Sequence, residues 1–353
     1  MQPLTDALGR SPAWFPHKLD LSNDAVSFVR LERRDYERAS FLDDRLLGPL
    51  IQAQSMPWRE VAAAVAAARL EERCGFIFHL GHVGSTLLSR LTGAHPGVFS
   101  LREPQLLRGF AQLKSESDLQ PPPWKDGSWP ARLGDSLKLL SRTFEARQLA
   151  VIKATSFVSE LASDLLSRPA APKALLMYVS AESYLATIMG GPNSRRETAV
   201  LLPSRLRRLH ARIGSEPWRV QSLSEGESVA LGWACEMSAL AHAARVAGER
   251  TLCLDFDAFL RDPAAWLPSV LRHFDIEASA AQVQAILGGP DMQRYSKAPE
   301  YAYDAALRYA VLQQAWTEHG AEIRRGLDWL ERAATHAPIR AAIELAAARQ
   351  VPR

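Results

Sequence analysis

Between Phe76 and Arg90 the chain reads FIFHLGHVGSTLLSR: an apolar run, a bend of small residues, then a helical pattern. Glycines at 81 and 84 let the main chain turn tightly and expose successive N–H groups. A helix starting at Ser85 adds its own unsatisfied N–H groups and its positive dipole end. The hydroxyls of Ser85 and Thr86 add donors. Gly81, His82, Val83, Gly84, Ser85 and Thr86 are therefore candidate ligands for an anion such as phosphate. The other reading is a plain strand-to-helix turn with no ligand, and the turn alone does not separate the two.

The bend is not the loop of a nucleotide triphosphatase. That loop needs Gly, four residues, then Gly-Lys-Ser/Thr. Here His79 stands at the first glycine and Ser85 at the lysine. Without the lysine the main γ-phosphate contact is lost.

Two further charges stand out. Lys153 closes the apolar run LAVIKAT (Leu149–Thr155). An ammonium turned inward there needs an anion beside it. Glu103 lies in VFSLREP (Val98–Pro104), where a glutamate before Pro104 caps or pairs with Arg102 or Arg108. His79, His82 and His95 surround the bend and its helix. No cysteine or carboxylate cluster completes a metal site, so none is expected. Trp124 and Trp129 fall in a polar, Pro-rich loop from Lys114 to Pro130. They either pack that loop or line a pocket. Trp233, on an Ala-rich helix, reads as core.

The elements that must carry these residues follow from pattern. Strands are expected at Cys74–Leu80, Val98–Pro104, Leu149–Thr155, Lys173–Ser180 and Thr251–Phe259. Helices are expected at Ser85–Ala94, Leu133–Gln148, Phe157–Ser167, Glu182–Met189, Thr198–Ile213 and Ser228–Val246, with a break at 190–194. Asp262-Pro263 opens another, and the chain is mostly helical from Tyr301. Before Cys74 the sequence reads as an irregular layer holding one strand near Asp24–Leu31, a helix start near Asp35–Ser40 and a helix at Arg59–Arg69. Strands alternating with helices predict an α/β fold: three layers around a central, mainly parallel sheet, with a helix-rich C-terminal part. The length of 353 residues fits about two domains, or one large α/β domain with appended helices. Its expected parts are 1–72 as an N-terminal layer, 73–300 as the core and 301–353 as C-terminal helices.

Composition narrows the class. Apolar residues are 47% and charged residues 23%, values of an ordinary globular chain. Lys and Arg exceed Asp and Glu by 42 − 39 = 3, too small a surplus for a dedicated nucleic-acid binder. Three scattered cysteines, Cys74, Cys235 and Cys253, read as reduced core residues. No run of about 18 apolar residues predicts a membrane span. The first twenty residues lack a secretory pattern, so a cytoplasmic protein is expected.

From Phe76 to Leu107 the run FIFHLGHVGSTLLSRLTGAHPGVFSLREPQLL resembles the sulfotransferase family, most closely its bacterial and tyrosylprotein-type branches. There a P-loop-like bend after a strand precedes a Leu-rich helix, a His-Pro turn and a Glu-containing segment. Gly84-Ser85-Thr86, His95-Pro96 and Glu103 match these in order. VIKAT (Val151–Thr155), ALLMYVS (Ala174–Ser180), the segment Leu252–Ile276 and Tyr295-Ser296-Lys297 resemble later parts of the same family, so the likeness spans about 74–300.

The resemblance implies transfer of a sulfuryl group from 3′-phosphoadenosine 5′-phosphosulfate to a hydroxyl or amine of a small-molecule or peptide acceptor. It assigns the 5′-phosphosulfate to residues 81–86, a cationic role to Lys153 and His82, and the base to Glu103. Thr187, Ser296 and Lys297 would join the cofactor site. Two positions depart from the family. His82 stands where Arg or Lys is usual, and Val179 replaces the arginine that binds the 3′-phosphate. Arg195 or Arg196 would supply that charge, or they are a solvated surface pair. The alternatives to an enzyme of this kind are a P-loop-type kinase or phosphotransferase, and a non-catalytic nucleotide- or protein-binding member of the fold.

Overall fold

The computed structural model describes residues 4–9, 11–48, 51–117, 124, 127–293 and 304–348. The strands are β1 Trp14–Asp20, β2 Ala25–Arg30, β3 Ala53–Pro57, β4 Cys74–His79, β5 Val98–Arg102, β6 Leu149–Lys153, β7 Ala174–Tyr178 and β8 Thr251–Asp255. Helices before β6 are α1 Leu4–Leu8, α2 Arg33–Arg38, α3 Trp58–Ala67, α4 Ser85–Gly93, α5 Gln105–Ser115 and α6 Trp129–Leu140. After it come α7 Ala162–Leu166, α8 Ala181–Met189, α9 Pro192–Ile213, α10 Glu225–Ala247, α11 Phe256–Arg261, α12 Pro263–His273, α13 Ala280–Leu287, α14 Ala305–Ala333 and α15 Ala337–Ala347.

The core is a five-stranded parallel sheet in the order β5-β6-β4-β7-β8. Helix α4 covers one face and α10 the other, which makes the expected three-layer α/β fold. Covered on both sides, β4, β5 and β7 are buried at every residue, which is why β4 and β7 read as largely apolar runs, while β5 also buries Ser100 and Arg102. From β4 the chain runs toward β5, and from β7 toward β8 on the other side. The reversal opens a crevice beyond the C-terminal ends of β4 and β7, where open α/β sheets take their ligands.

The N-terminal layer is more regular than its sequence suggested. It is a three-stranded antiparallel sheet, β1-β2-β3. Pro16 lies in the edge strand β1, where a missing N–H is tolerated. The register slips between Pro16 and Lys18, which hid the period-two pattern. Three other expectations need correction. The helix expected over Leu133–Gln148 ends at Leu140. The strand expected to reach Phe259 stops at Asp255, because the Asp255 carboxylate accepts from the N–H groups of Asp257 and Ala258 and starts α11. The break expected across 190–194 is confined to Gly190-Gly191, since Pro192 is already the first residue of α9.

Buried guanidiniums tie this layer to the core. Arg142 donates to the carbonyls of Leu8, Ser11, Trp14 and Leu139 at 2.7–2.9 Å. Burial pushes its pKa down to about 10, so it stays charged at neutral pH with carbonyl dipoles as its counter-field. Arg102 donates in the same way to carbonyls of Tyr36, Glu37 and Ala39. Among the described residues no helix is long and apolar enough to cross a membrane, and all three cysteines are free thiols.

Arg142→Ala should leave several buried carbonyls without donors and cost about 3 kcal/mol. Urea denaturation checks this: a midpoint equal to that of the parent protein would show that the ties are replaceable.

Candidate functional site

Parallel strands in register deliver their last residues to one edge. Lys153 faces Ile77 on one side and Arg102 on the other. The residue after Arg102 is Glu103, whose N–H bonds the Lys153 carbonyl at 2.6 Å. The Lys153 ammonium is 0% exposed and pairs with Glu103 Oε1. The anion this buried cation needs is thus supplied by the chain itself, and Glu103 does not pair with Arg102 or Arg108. Glu103 holds a left-handed φ of 54°, uncommon for a residue with a side chain. Nearby, the Arg45 guanidinium lies 3.4 Å from the Phe41 ring centroid, and Lys153 Nζ lies 5.8 Å from the same centroid. Hydrogen bonding to Asp43, and the charge of Glu103 beyond it, hold Arg45 above the ordinary guanidinium value.

The bend follows β4, the next strand across. Gly81, His82 and Gly84 have φ values of 85°, 55° and 63°. The Gly81 N–H is bonded to His79 Nδ1 at 2.9 Å, which removes it from the donor set. Helix α4 begins with no side-chain cap, and among the described residues the N–H groups of 83–86 have no acceptor. Ser85 and Thr86 are buried, and Thr86 Oγ1 has no partner among the described residues. A buried hydroxyl left so costs free energy unless something fills the position. Val83 offers only its amide, since its side chain lies in the core. His82 Nε2 is 3.5 Å from a carboxylate oxygen of Glu197 on α9.

Gly84 is required twice over. Its φ is left-handed, and a Cβ there would overlap the Phe256 ring. Phe256 is backed by Arg308 of α14, whose guanidinium is 5.2 Å from the ring centroid and 2.7 Å from Asp257 Oδ1.

Other expected residues fall elsewhere. The Thr187 hydroxyl donates to the Ser183 carbonyl of its own helix at 2.7 Å. Val179 is buried, and its carbonyl accepts from Trp233 Nε1 at 3.1 Å. Arg195 is half-buried 3.7 Å from Glu225, and Arg196 is exposed. Ser296 and Lys297 lie outside the described residues. Trp124 and Trp129 pack: Trp124 donates to Asp24 and stands edge-on to Trp58, and Trp129 stands edge-on to Phe110. Among the described residues no cluster of three or more His, Cys, Asp or Glu could hold a metal.

The sequence reading missed a cleft of ≈ 590 Å³ beside Glu103, bordered by Thr155, Arg45 and Arg108. Thr155 Oγ1 is buried without a partner among the described residues. Arg45 sits in the stretch read as irregular, and Arg108 looked like one more surface arginine. Only the position of Arg108, one turn into the helix that follows Glu103, could have signalled it.

No model of a known protein family matches the chain, and no curated protein matches it. Solved structures similar to it include a sulfotransferase domain from the curacin biosynthetic pathway, at 14% identity and a TM-score of 0.38, over 70% of this chain and 98% of that one. A sulfotransferase from Alicyclobacillus acidocaldarius is similar at 14% identity and a TM-score of 0.37, over 79% of this chain and 97% of that one. The sulfotransferase domain of the Synechococcus olefin synthase is similar at 16% identity and a TM-score of 0.37, over 77% and 92%.

Gly84→Ala should destabilise the fold by about 2 kcal/mol through left-handed strain and overlap with Phe256. Adding Phe256→Leu should recover part of that loss. A double-mutant cycle by chemical denaturation tests the contact, and strictly additive effects would deny it.

Proposed function

We propose that the protein transfers a sulfuryl group from 3′-phosphoadenosine 5′-phosphosulfate to the hydroxyl, or amine, of a small-molecule or peptide acceptor, with Glu103 as the base. The observation that carries this reading is a conjunction at one sheet edge. An uncapped helix start with a buried, unpartnered Thr86 hydroxyl lies one strand away from a buried ammonium–carboxylate pair. In this reading residues 73–300 are the catalytic core, 1–72 pack on it, and 301–353 are its C-terminal helices.

The site residues suit the phosphosulfate end of the donor. The amides of Val83 to Thr86, the two hydroxyls and the dipole of α4 hold its anionic oxygens. His82 adds charge when protonated. The side chain of Val179 is apolar and takes no part in holding the 3′-phosphate. In the transfer, the acceptor oxygen bonds to sulfur, the bond from sulfur to the bridging oxygen breaks with its electron pair leaving on the bisphosphate, and the acceptor proton moves to Glu103. Proton uptake neutralises Glu103 and frees the charge of Lys153 from its counter-ion. The ammonium then stabilises the leaving oxygen at the moment negative charge develops there.

Calorimetric titration with adenosine 3′,5′-bisphosphate should show micromolar binding, weakened by Ser85→Ala and Lys153→Ala. A preference for ATP with Mg²⁺ would instead mark a phosphotransferase, and binding of neither nucleotide would end the reading. Glu103→Gln should keep bisphosphate binding and lower turnover by roughly 10²-fold or more. Unchanged turnover in that variant would remove Glu103 as the base.

A further inference from the structure

The cleft beside Glu103 lies between α5 and the N-terminal layer. Its ≈ 590 Å³ matches a small-molecule site. One wall is a single face of α5, with Gln105, Arg108 and Gln112 at helical spacing. The opposite wall holds Leu19 of β1 and Leu21 just past it, the latter 43% exposed. Gly109 permits the close approach of the two walls, since a Cβ there would lie 3.0 Å from Leu19 Cδ1.

The carboxylates of this cleft are engaged. Asp43 accepts from Arg45 Nε at 2.9 Å. Asp44 accepts from His17 at 2.9 Å and from Lys18 at 3.3 Å. Glu103 holds Lys153, and Glu116 accepts from Gln112 at 3.1 Å. Arg108 is different: it is exposed to the cleft and has no carboxylate partner among the described residues. Glu116, bonded only to a neutral amide, keeps its charge at the C-terminal end of α5, and Arg108 is the cleft cation left without a carboxylate, in the first turns of the helix that follows the base. At the floor, the partnerless Thr155 hydroxyl marks a position for a ligand's polar atom.

We propose that this cleft receives the acceptor and that the acceptor is a hydroxylated, carboxylate-bearing small molecule. Arg108 binds its carboxylate, Leu19 and Leu21 cover its apolar stem, and its hydroxyl reaches Glu103 and Thr155. The assignment rests on Glu103 as the base of the proposed transfer. It also gives the N-terminal layer, which lies outside the sulfotransferase-like segment, a part in choosing the substrate.

The test compares two probes, 3-(4-hydroxyphenyl)propionate and its methyl ester, by calorimetric or NMR titration of the full chain without donor. The acid should bind about tenfold more tightly than the ester, as one charge-assisted contact allows. Arg108→Gln should abolish the difference, Arg108→Lys should keep part of it, and both should bind adenosine 3′,5′-bisphosphate like the parent protein. Equal binding of acid and ester, or no binding of either, overturns the proposal. A difference that survives Arg108→Gln overturns it as well. Failure of the sulfuryl-transfer reading is distinguishable: the bisphosphate would not bind, while the acid–ester difference and its dependence on Arg108 would remain.

Discussion

An ammonium withdrawn from water without a counter-ion costs several kcal/mol, more than one strand of a sheet can offset. Lys153 is withdrawn completely. Its burial therefore dictates where Glu103 stands, and the carboxylate is brought there by the neighbouring strand, with one main-chain hydrogen bond fixing the distance. The left-handed φ at Glu103 is part of the same constraint. An extended residue would carry its carboxylate onward along β5, whereas the left-handed one turns the chain into α5 and directs the side chain across to β6. The strand order then sets how far the pair lies from the bend after β4.

The bend obeys a different constraint. Its residues Gly81, His82 and Gly84 are left-handed, the ring of Phe256 leaves no space beside Gly84 for a side chain, and among the described residues the amides of 83–86 have no acceptor. Charge enters the two halves of the edge by different routes: main-chain dipoles at the bend, and side-chain ions at the pair and in the cleft. Buried arginines work on a third principle. Arg102 and Arg142 have carbonyl oxygens as partners in place of carboxylates, so they fasten the N-terminal layer without a second buried carboxylate.

The sequence made the sheet legible because strands covered on both faces must be apolar throughout. CGFIFH and ALLMY could hardly be anything else once a glycine bend or a helical pattern follows them. The bend was legible for the same local reason. The N-terminal sheet was not, since WFPHKLD contains a proline and a register slip, and AQSMP is short and polar. The run TLCLDFDAF misled because Asp255 acts as a helix cap, a role that depends on where its carboxylate points and not on local hydrophobicity. At the site, the residues of the bend and the pair could be named from sequence. The partner of Lys153 could not, because strand order alone makes Glu103 its neighbour. The cleft escaped for a similar reason: Leu19, Arg45 and Arg108 belong to three segments that only the packed layers bring together.

The stack of Arg308 on Phe256, and of Phe256 on Gly84, joins a helix near the end of the chain to the turn after the sheet's central strand. The aromatic ring is an incompressible strut between them. Its backing is complete only when α14 has docked. During synthesis the turn after β4 thus gains its last support only once α14, far downstream of it, has been made and has docked.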